Sequence, residues 1–343
     1  MRRTLTGAAA RYDGGLREVG PGLYAWMQPN GSWGEANAGL VVGDGESLVV
    51  DTLFDEVQAR RMLTAMAPHV STAPIRFVVN THSDGDHWWG NAMMPRDAEI
   101  ITSAASRAAM RAESTPAEFS RLDRLARVAN GLPGYPGRLG RYTHGMFAPF
   151  RFVDVRPRHP DRDFTGRHSL TVGGRRVDLV EVGPAHTSGD VIAHVPDAGV
   201  VFAGDMLFVG STPVLWHGPA ENAIAALKLL RGLNAKVYVP GHGPPATTAD
   251  IAALTEYWTW VADSARGQRN RGRSAWAAAR NLARSDEFRR WRTWECPERM
   301  VINVATEYHQ LAGHPPPAPN PVRRARLFAQ VAALAKEIAG QSG

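Results

Sequence analysis

Short apolar runs bounded by Gly, Pro, Asn or Asp dominate the chain up to Thr102 and return at Leu170. Stretches rich in Ala, Arg and Leu fill most of the remainder. The runs 16–28 and 34–43 have strand character around the turn Pro29-Asn30-Gly31-Ser32, and a third strand, 47–52, follows the turn Gly43-Asp44-Gly45. Asp55 is placed to cap a helix reaching about Pro68, whose apolar face is Val57, Met62, Leu63 and Met66. The β-branched and aromatic run 75–81 predicts a buried strand, and 98–102 a shorter one. Hairpin-linked strands followed by strand–helix–strand units predict an α/β (α+β) fold, a mixed sheet with helices packed on it.

Residues 103–130 read as helix, broken near Thr115-Pro116. Residues 131–151 change character: a long Gly/Pro loop carrying Tyr142, Met146, Phe147 and Phe150 predicts a lid over a site. From Leu170 two hairpins are expected, 170–172 with 176–182 and 191–195 with 200–205. A helix at 221–234 and a strand at 236–239 follow. Beyond Gly243-Pro244-Pro245 the pattern is helical, with a Pro-rich break at 314–319 before a last helix at 322–339. The organisation expected is a domain over 1–250 with a helical lid insertion at 103–165. A helical extension, 251–343, packs on the same domain.

At 343 residues the chain can bury a full core, and 44% hydrophobic with 21% charged residues is ordinary globular composition. No stretch approaches a membrane span, and no long apolar region follows the paired arginines at the start, so neither membrane insertion nor a secretory leader is expected. The single cysteine, Cys296, excludes an internal disulfide and a thiolate metal cluster, and with no base beside it in a recognisable motif it reads as inert; a cytoplasmic location is the default. The formal charge of +6 raises nucleic acid as a partner. However, the basic residues are nearly all arginine, with Lys228, Lys236 and Lys336 the only lysines, and they are spread rather than massed. Nucleic-acid binding is therefore disfavoured.

The chemistry concentrates at 81–91, where His82, Asp84, Asp86 and His87 follow the predicted strand 75–81 directly. Carboxylates this close repel each other unless a cation sits between them. Three further strand ends carry ligand-type residues: His186 in Gly183-Pro184-Ala185-His186, Asp205 after Phe202-Ala203-Gly204, and His242 between Gly241 and Gly243. Four histidines and three aspartates suffice for two metal ions sharing a bridging carboxylate. His69, His159, His168, His194 and His314 lack any such pattern. The apolar stripe within 299–309 reads as helix core.

Over roughly residues 16–250 these motifs resemble the metallo-β-lactamase superfamily, whose pattern is His-x-His-x-Asp-His, a later His, a bridging Asp and a last His. The resemblance implies a four-layer αββα sandwich with the site at one edge of its two sheets. It also implies that His82, Asp84 and His186 hold one metal, that Asp86, His87 and His242 hold the other, and that Asp205 bridges them. Asp51 resembles the family's early strand-end Asp. The departure is Asp84, which stands where the family usually has its second histidine. An anionic oxygen ligand weakens the first metal as a Lewis acid and shifts preference from zinc toward iron or manganese. A carboxylate here resembles the di-iron flavoprotein branch, although no flavodoxin-like domain follows. Alternatively, Asp84 does not ligate and the first site is weak or empty.

The function implied is a dinuclear metal-dependent hydrolase. A metal-bound hydroxide attacks an ester, thioester or lactone carbonyl, with Asp86 and Asp84 as catalytic candidates and two divalent ions, zinc first, as cofactors. Tyr24 to Trp33, with Pro297-Glu298-Arg299, resembles the bacterial subgroup that includes polyketide thioesterase/cyclases. Candidate substrate contacts are Trp88, Trp89, Tyr142, His144 and His217, with a partly apolar small molecule as the expected substrate. A di-iron oxidoreductase or oxygenase is the alternative, followed by a phosphodiesterase and by a non-catalytic protein with a degenerate site. The C-terminal helices could form a homodimer interface or cap the pocket.

Overall fold

The computed structural model describes residues 9–29, 33–112, 114–314 and 321–340, and among these the chain forms twelve strands and ten α-helices. Residues 30–32 of the first turn, 315–320 of the Pro-rich break and the N-terminal residues 1–8 lie outside the described residues. One sheet follows chain order: β1 (Gly15–Gly20), β2 (Leu23–Met27), β3 (Ala38–Val42), β4 (Ser47–Val50), β5 (Ile75–Val79), β6 (Glu99–Ser103) and β7 (Arg162–Phe164). It is antiparallel from β1 to β4 and parallel from β4 to β7. The second sheet comprises β8 (Arg167–Val172), β9 (Arg175–Glu181), β10 (Val191–Val195), β11 (Val200–Phe202) and β12 (Val237–Val239), ordered β12-β11-β10-β9-β8.

A parallel pair needs a crossover. Between β4 and β5 it is α1 (Glu56–Val70), whose first turn is capped by Asp55 Oδ1 accepting from the Gln58 amide at 2.8 Å. The apolar side of α1, Met62 and Met66, packs with Leu40, Val49, Val78 and Ile100 on the outer face of the first sheet. The inner faces of the two sheets meet in a second cluster, in which Leu23, Val50 and Ile101 face Leu179, Ala193 and Phe202. Between β11 and β12 lies α6 (Ala220–Gly232). It joins α7 (Thr248–Asn270), α8 (Ala275–Leu282), α9 (Met300–Leu311) and α10 (Pro321–Ala339) in the cluster covering the outer face of the second sheet. This is the four-layer αββα sandwich, and the helices after residue 248 share a core with its second sheet. No helix among the described residues is long and apolar enough to cross a membrane.

Three local expectations are corrected. The run 16–28 is two strands, because Pro21 has no amide hydrogen for a ladder and Gly22 turns the chain at φ +73°, giving a hairpin. The short polar strand β7 carries no hydrophobic alternation to announce it. The Gly/Pro loop at 131–151 is mostly helix. After α2 (Gly85–Trp88) and α3 (Ala104–Ala112), α4 (Pro116–Asn130) begins in a capping box at Thr115 and Glu118, and α5 (Gly134–Phe147) packs back against it. Pro133 and Pro136 sit before and within the first turn of α5, where amide hydrogens have no helical acceptor anyway. Gly140 allows the contact between the two helices, since a Cβ there would lie 2.6 Å from the Asn130 nitrogen.

Candidate metal centre

Each candidate ligand leaves the end of a strand at the same edge of the two sheets. The first sheet contributes the segment after β5: His82, then Asp84 at the N-cap position of α2, then Asp86 and His87 within it. The second contributes His186 after β9, Asp205 after β11 and His242 after β12. Local bonds set each turn. Asp190 accepts from Thr187 Oγ1 at 2.6 Å and the Thr187 amide at 3.0 Å, closing the turn that presents His186. Asn37 reaches from the first sheet to donate to the carbonyls of Pro240 and Gly243 at 2.9 and 2.8 Å, bracketing His242.

Three triads could each hold a metal: His82–Asp84–His186, Asp86–His87–His242 and His82–His87–Asp205, with the ligand atoms of each within 4.8 Å of one another. Asp205 sits among all four imidazoles. Its Oδ2 is 3.2 Å from His186 Nε2, 3.4 Å from His242 Nε2 and 3.9 Å from His82 Nε2, and its Oδ1 is 3.1 Å from His87 Nε2.

The hydrogen bonds on the far side of the rings say which nitrogens are free. His186 Nδ1 donates to the Val214 carbonyl at 2.7 Å, and His87 Nδ1 to Asp51 Oδ2 at 2.8 Å. Thr81 Oγ1 donates to the same Asp51 oxygen at 2.8 Å and so accepts from His82 Nδ1 at 2.9 Å. All three Nε2 lone pairs therefore face Asp205, which is how metal-bound imidazoles are oriented. His82 Nε2, His87 Nε2 and Asp205 Oδ1 are buried and have no hydrogen-bond partner, a costly arrangement unless a cation satisfies them. The donor set fits a divalent cation.

The electrostatics agree. Burial opposes ionisation of Asp205, yet the four histidines hold its carboxyl well below the usual range. Burial likewise opposes charge on His87 and His186, but the carboxylates raise His87 well above its usual value and push His186 to about 10. Burial and neighbouring His87 push His82 well down. A cation bound here would compete with protons for the same imidazole nitrogens.

A cleft of about 540 Å³ opens onto Asp84, Asp86, His186, Asp205 and His242. Its walls include Trp33, Phe54, Trp89, Phe119, Phe208 and Trp216, with α4, α5 and α10 over it. Of the expected substrate contacts, Trp89 lines this cleft and the other four do not. Trp88 is 2% exposed, packed beside His159 with its indole donating to the Ser83 carbonyl at 2.9 Å. Tyr142 donates to Glu298 Oε1 at 2.8 Å and borders a separate surface cavity of about 470 Å³. His144 is 2.7 Å from Asp123, and the His217 carbonyl accepts from Gln310. Sequence reasoning missed Phe208, Trp216 and Arg299 as wall residues, because they lie on separate segments that only the tertiary fold brings together.

Residues 31–242 match the family described as the metallo-beta-lactamase superfamily. The alpha subunit of 2,4-dinitroanisole O-demethylase from Nocardioides sp. (strain JS1661) is 24% identical over 285 residues, 80% of this chain and 74% of that one. Among solved structures, a sec-alkylsulfatase from Pseudomonas sp. superposes with a TM-score of 0.66 at 17% identity over 90% of this chain, which spans about half (51%) of that protein. A metallo-beta-lactamase family protein from Thermus thermophilus gives 0.56 at 20% identity, covering 86% of this chain and 95% of its own. The structural likenesses speak for the fold, and the match across residues 31–242 makes the assignment: the chain belongs to the metallo-beta-lactamase superfamily.

Proposed function

We propose that the chain is a metal-dependent hydrolase acting on a carbon–oxygen or thioester bond of a largely apolar, aromatic small molecule. Esters, thioesters, lactones and activated aryl ethers are the candidate classes. The observation that carries this reading is the aromatic cleft whose floor is the His/Asp cluster. The ether is included because the Nocardioides relative is named for demethylating 2,4-dinitroanisole.

His82, Asp84 and His186 would hold one ion, Asp86, His87 and His242 the other, and Asp205 would lie between. Divalent ions bound there supply an acidified water and a Lewis acid for the scissile group. The aromatic walls bind the apolar body, exclude bulk water and so strengthen the field of the charged floor. Asp86, on that floor, would orient the nucleophilic water while serving as a ligand.

The test is elemental analysis of protein purified without added metal, followed by a panel of esters, thioesters, lactones, aryl ethers, alkyl sulfates, β-lactams and phosphodiesters. Turnover of an aromatic ester, thioester, lactone or ether, lost in Asp205→Ala, supports the reading. Turnover confined to phosphodiesters overturns it. A second reading, a di-iron oxidoreductase, is favoured by the carboxylate at Asp84, whose Oδ2 lies 3.1 Å from His186 Nε2. Two zinc ions per chain would exclude it, and bound iron with a visible absorption band would support it.

A further inference from the structure

Arg299 is a buried cation on the wall of a largely apolar cleft, and an apolar substrate alone does not account for it. It ends the 3-10 turn Pro297–Arg299 and is only 1% exposed. Its Nη1 donates to the Thr212 carbonyl at 2.9 Å, while its Nε–H is buried without an acceptor. No ion pair forms between Arg299 and a carboxylate among the described residues. The neighbouring acids are engaged elsewhere: Glu298 accepts from Tyr142 at 2.8 Å, and Glu295 lies 3.9 Å from Arg11. Arg324, also on the wall, already donates to Ser114 Oγ at 2.9 Å.

The guanidinium carbon sits 4.3 Å from the centre of the Trp33 ring and 6.0 Å from that of Phe208. Phe208 in turn stacks on His242, with centres 5.0 Å apart and planes 6° apart. Arg299 is therefore separated from a candidate metal ligand by a single ring. Stacking occupies the faces of a guanidinium and leaves its in-plane donors for a planar anion. The nearby charges of Glu295 and Glu298 act on it only through space, so its buried Nε–H remains a donor that an anionic ligand would satisfy.

We propose that Arg299 is the anchor for an anionic group of the carboxylate type on the substrate, which makes the preferred substrates amphipathic: an apolar aromatic body with a charged end. This rests on the hydrolase reading in that the same cleft binds the substrate. It narrows the substrate class from apolar molecules to aromatic acids and their half-esters.

The probes are 2-naphthoate and its uncharged isostere 2-naphthamide. Their binding to the metal-loaded protein is followed by tryptophan fluorescence, in which Trp33 takes part, and by calorimetry. Wild-type protein is expected to prefer the carboxylate by about tenfold or more, the scale expected of a charge-assisted bidentate contact. Arg299→Met, with metal content unchanged, is expected to cut that preference to about twofold or less by the same reasoning. Arg299→Lys, which keeps a charge but not the fork, is expected to fall between, and it carries the test if the methionine variant does not fold. No preference in the wild type overturns the proposal. So does an undiminished preference in the folded variants, which would assign the carboxylate to the metals and leave the apolar cleft standing. Failure of both ligands to bind overturns the cleft reading and this proposal together.

Discussion

The indole of Trp216 donates to Asp84 Oδ2 at 3.0 Å, and the backbone N–H of the same residue donates to the His186 carbonyl at 2.9 Å. One residue therefore holds two candidate ligands that arrive from opposite sheets. Asp84 occupies an N-cap position, yet its side chain makes no capping bond and turns to Trp216 and His186 instead. Trp216→Phe keeps a wall ring and removes the donor. Metal affinity is expected to fall about tenfold, as is usual for a lost outer partner of a ligand, with the circular dichroism spectrum unchanged. Chelator competition measures this, and equal affinities would reduce the indole to a wall.

Asp51 orients two histidines at once. Its Oδ2 accepts from His87 Nδ1 and from Thr81 Oγ1, both at 2.8 Å, and Thr81 in turn accepts from His82. Its backbone is left-handed at φ 61°, a conformation asparagine also tolerates. Asp51→Asn therefore alters charge and hydrogen bonding without new backbone strain. Metal affinity is expected to drop about 10- to 100-fold, and isothermal titration with zinc would show it. An unaltered dissociation constant would mean that the histidines need no carboxylate behind them.

Asp205→Ala tests the centre itself. The carboxylate lies within 3.9 Å of an Nε2 atom of each of four histidines, whereas Asp84 and Asp86 each approach one side of the cluster. Metal content by mass spectrometry is expected to fall to background, and any hydrolysis with it. Two ions per chain retained in the variant would refute a shared site built on this residue.

The cluster of candidate ligands was legible in the sequence because its members follow apolar strands, so strand ends and ligand-type residues coincide. Most strands were legible from their apolar runs, which predicted one mixed sheet; the division into two sheets was implied only by the family resemblance. The helix α5 was not, since Gly134, Pro136, Gly137 and Gly140 argue locally for a loop. What makes it a helix is its contact with α4, to which Gly140 offers a bare backbone. The cleft wall was hidden for a related reason: Trp33, Phe119, Phe208 and Arg299 belong to four distant segments with no shared period. His144 and His217 looked available in sequence, but the structure pairs one with Asp123 and turns the other outside the cleft lining.

Glu307 gives the fold a pH dependence of its own, away from the metal centre. It is 2% exposed on α9, and its Oε1 accepts from the Ala220 amide at 2.6 Å, satisfying the start of α6, where Pro219 offers no side-chain cap. Burial raises its carboxyl from 4.5 to about 7, against the lowering effect of the Ala220 bond. The native state thus binds this proton more tightly than the unfolded chain does. The stability the proton contributes is fully present below pH 4.5 and is lost as pH rises through about 7. Glu307→Gln keeps an acceptor for Ala220 and removes the charge, so its stability relative to wild type should rise between pH 5 and pH 8. The gain is on the order of 2–3 kcal/mol, since each pH unit by which folding displaces the titration is worth about 1.4 kcal/mol. Urea melts of both proteins at the two pH values measure it, and subtraction cancels the pH dependence they share at the metal residues. A difference that stays constant between pH 5 and pH 8 would mean that Glu307 is already ionised in the folded protein at the lower pH, with its charge satisfied by the α6 N-terminus rather than penalised by burial.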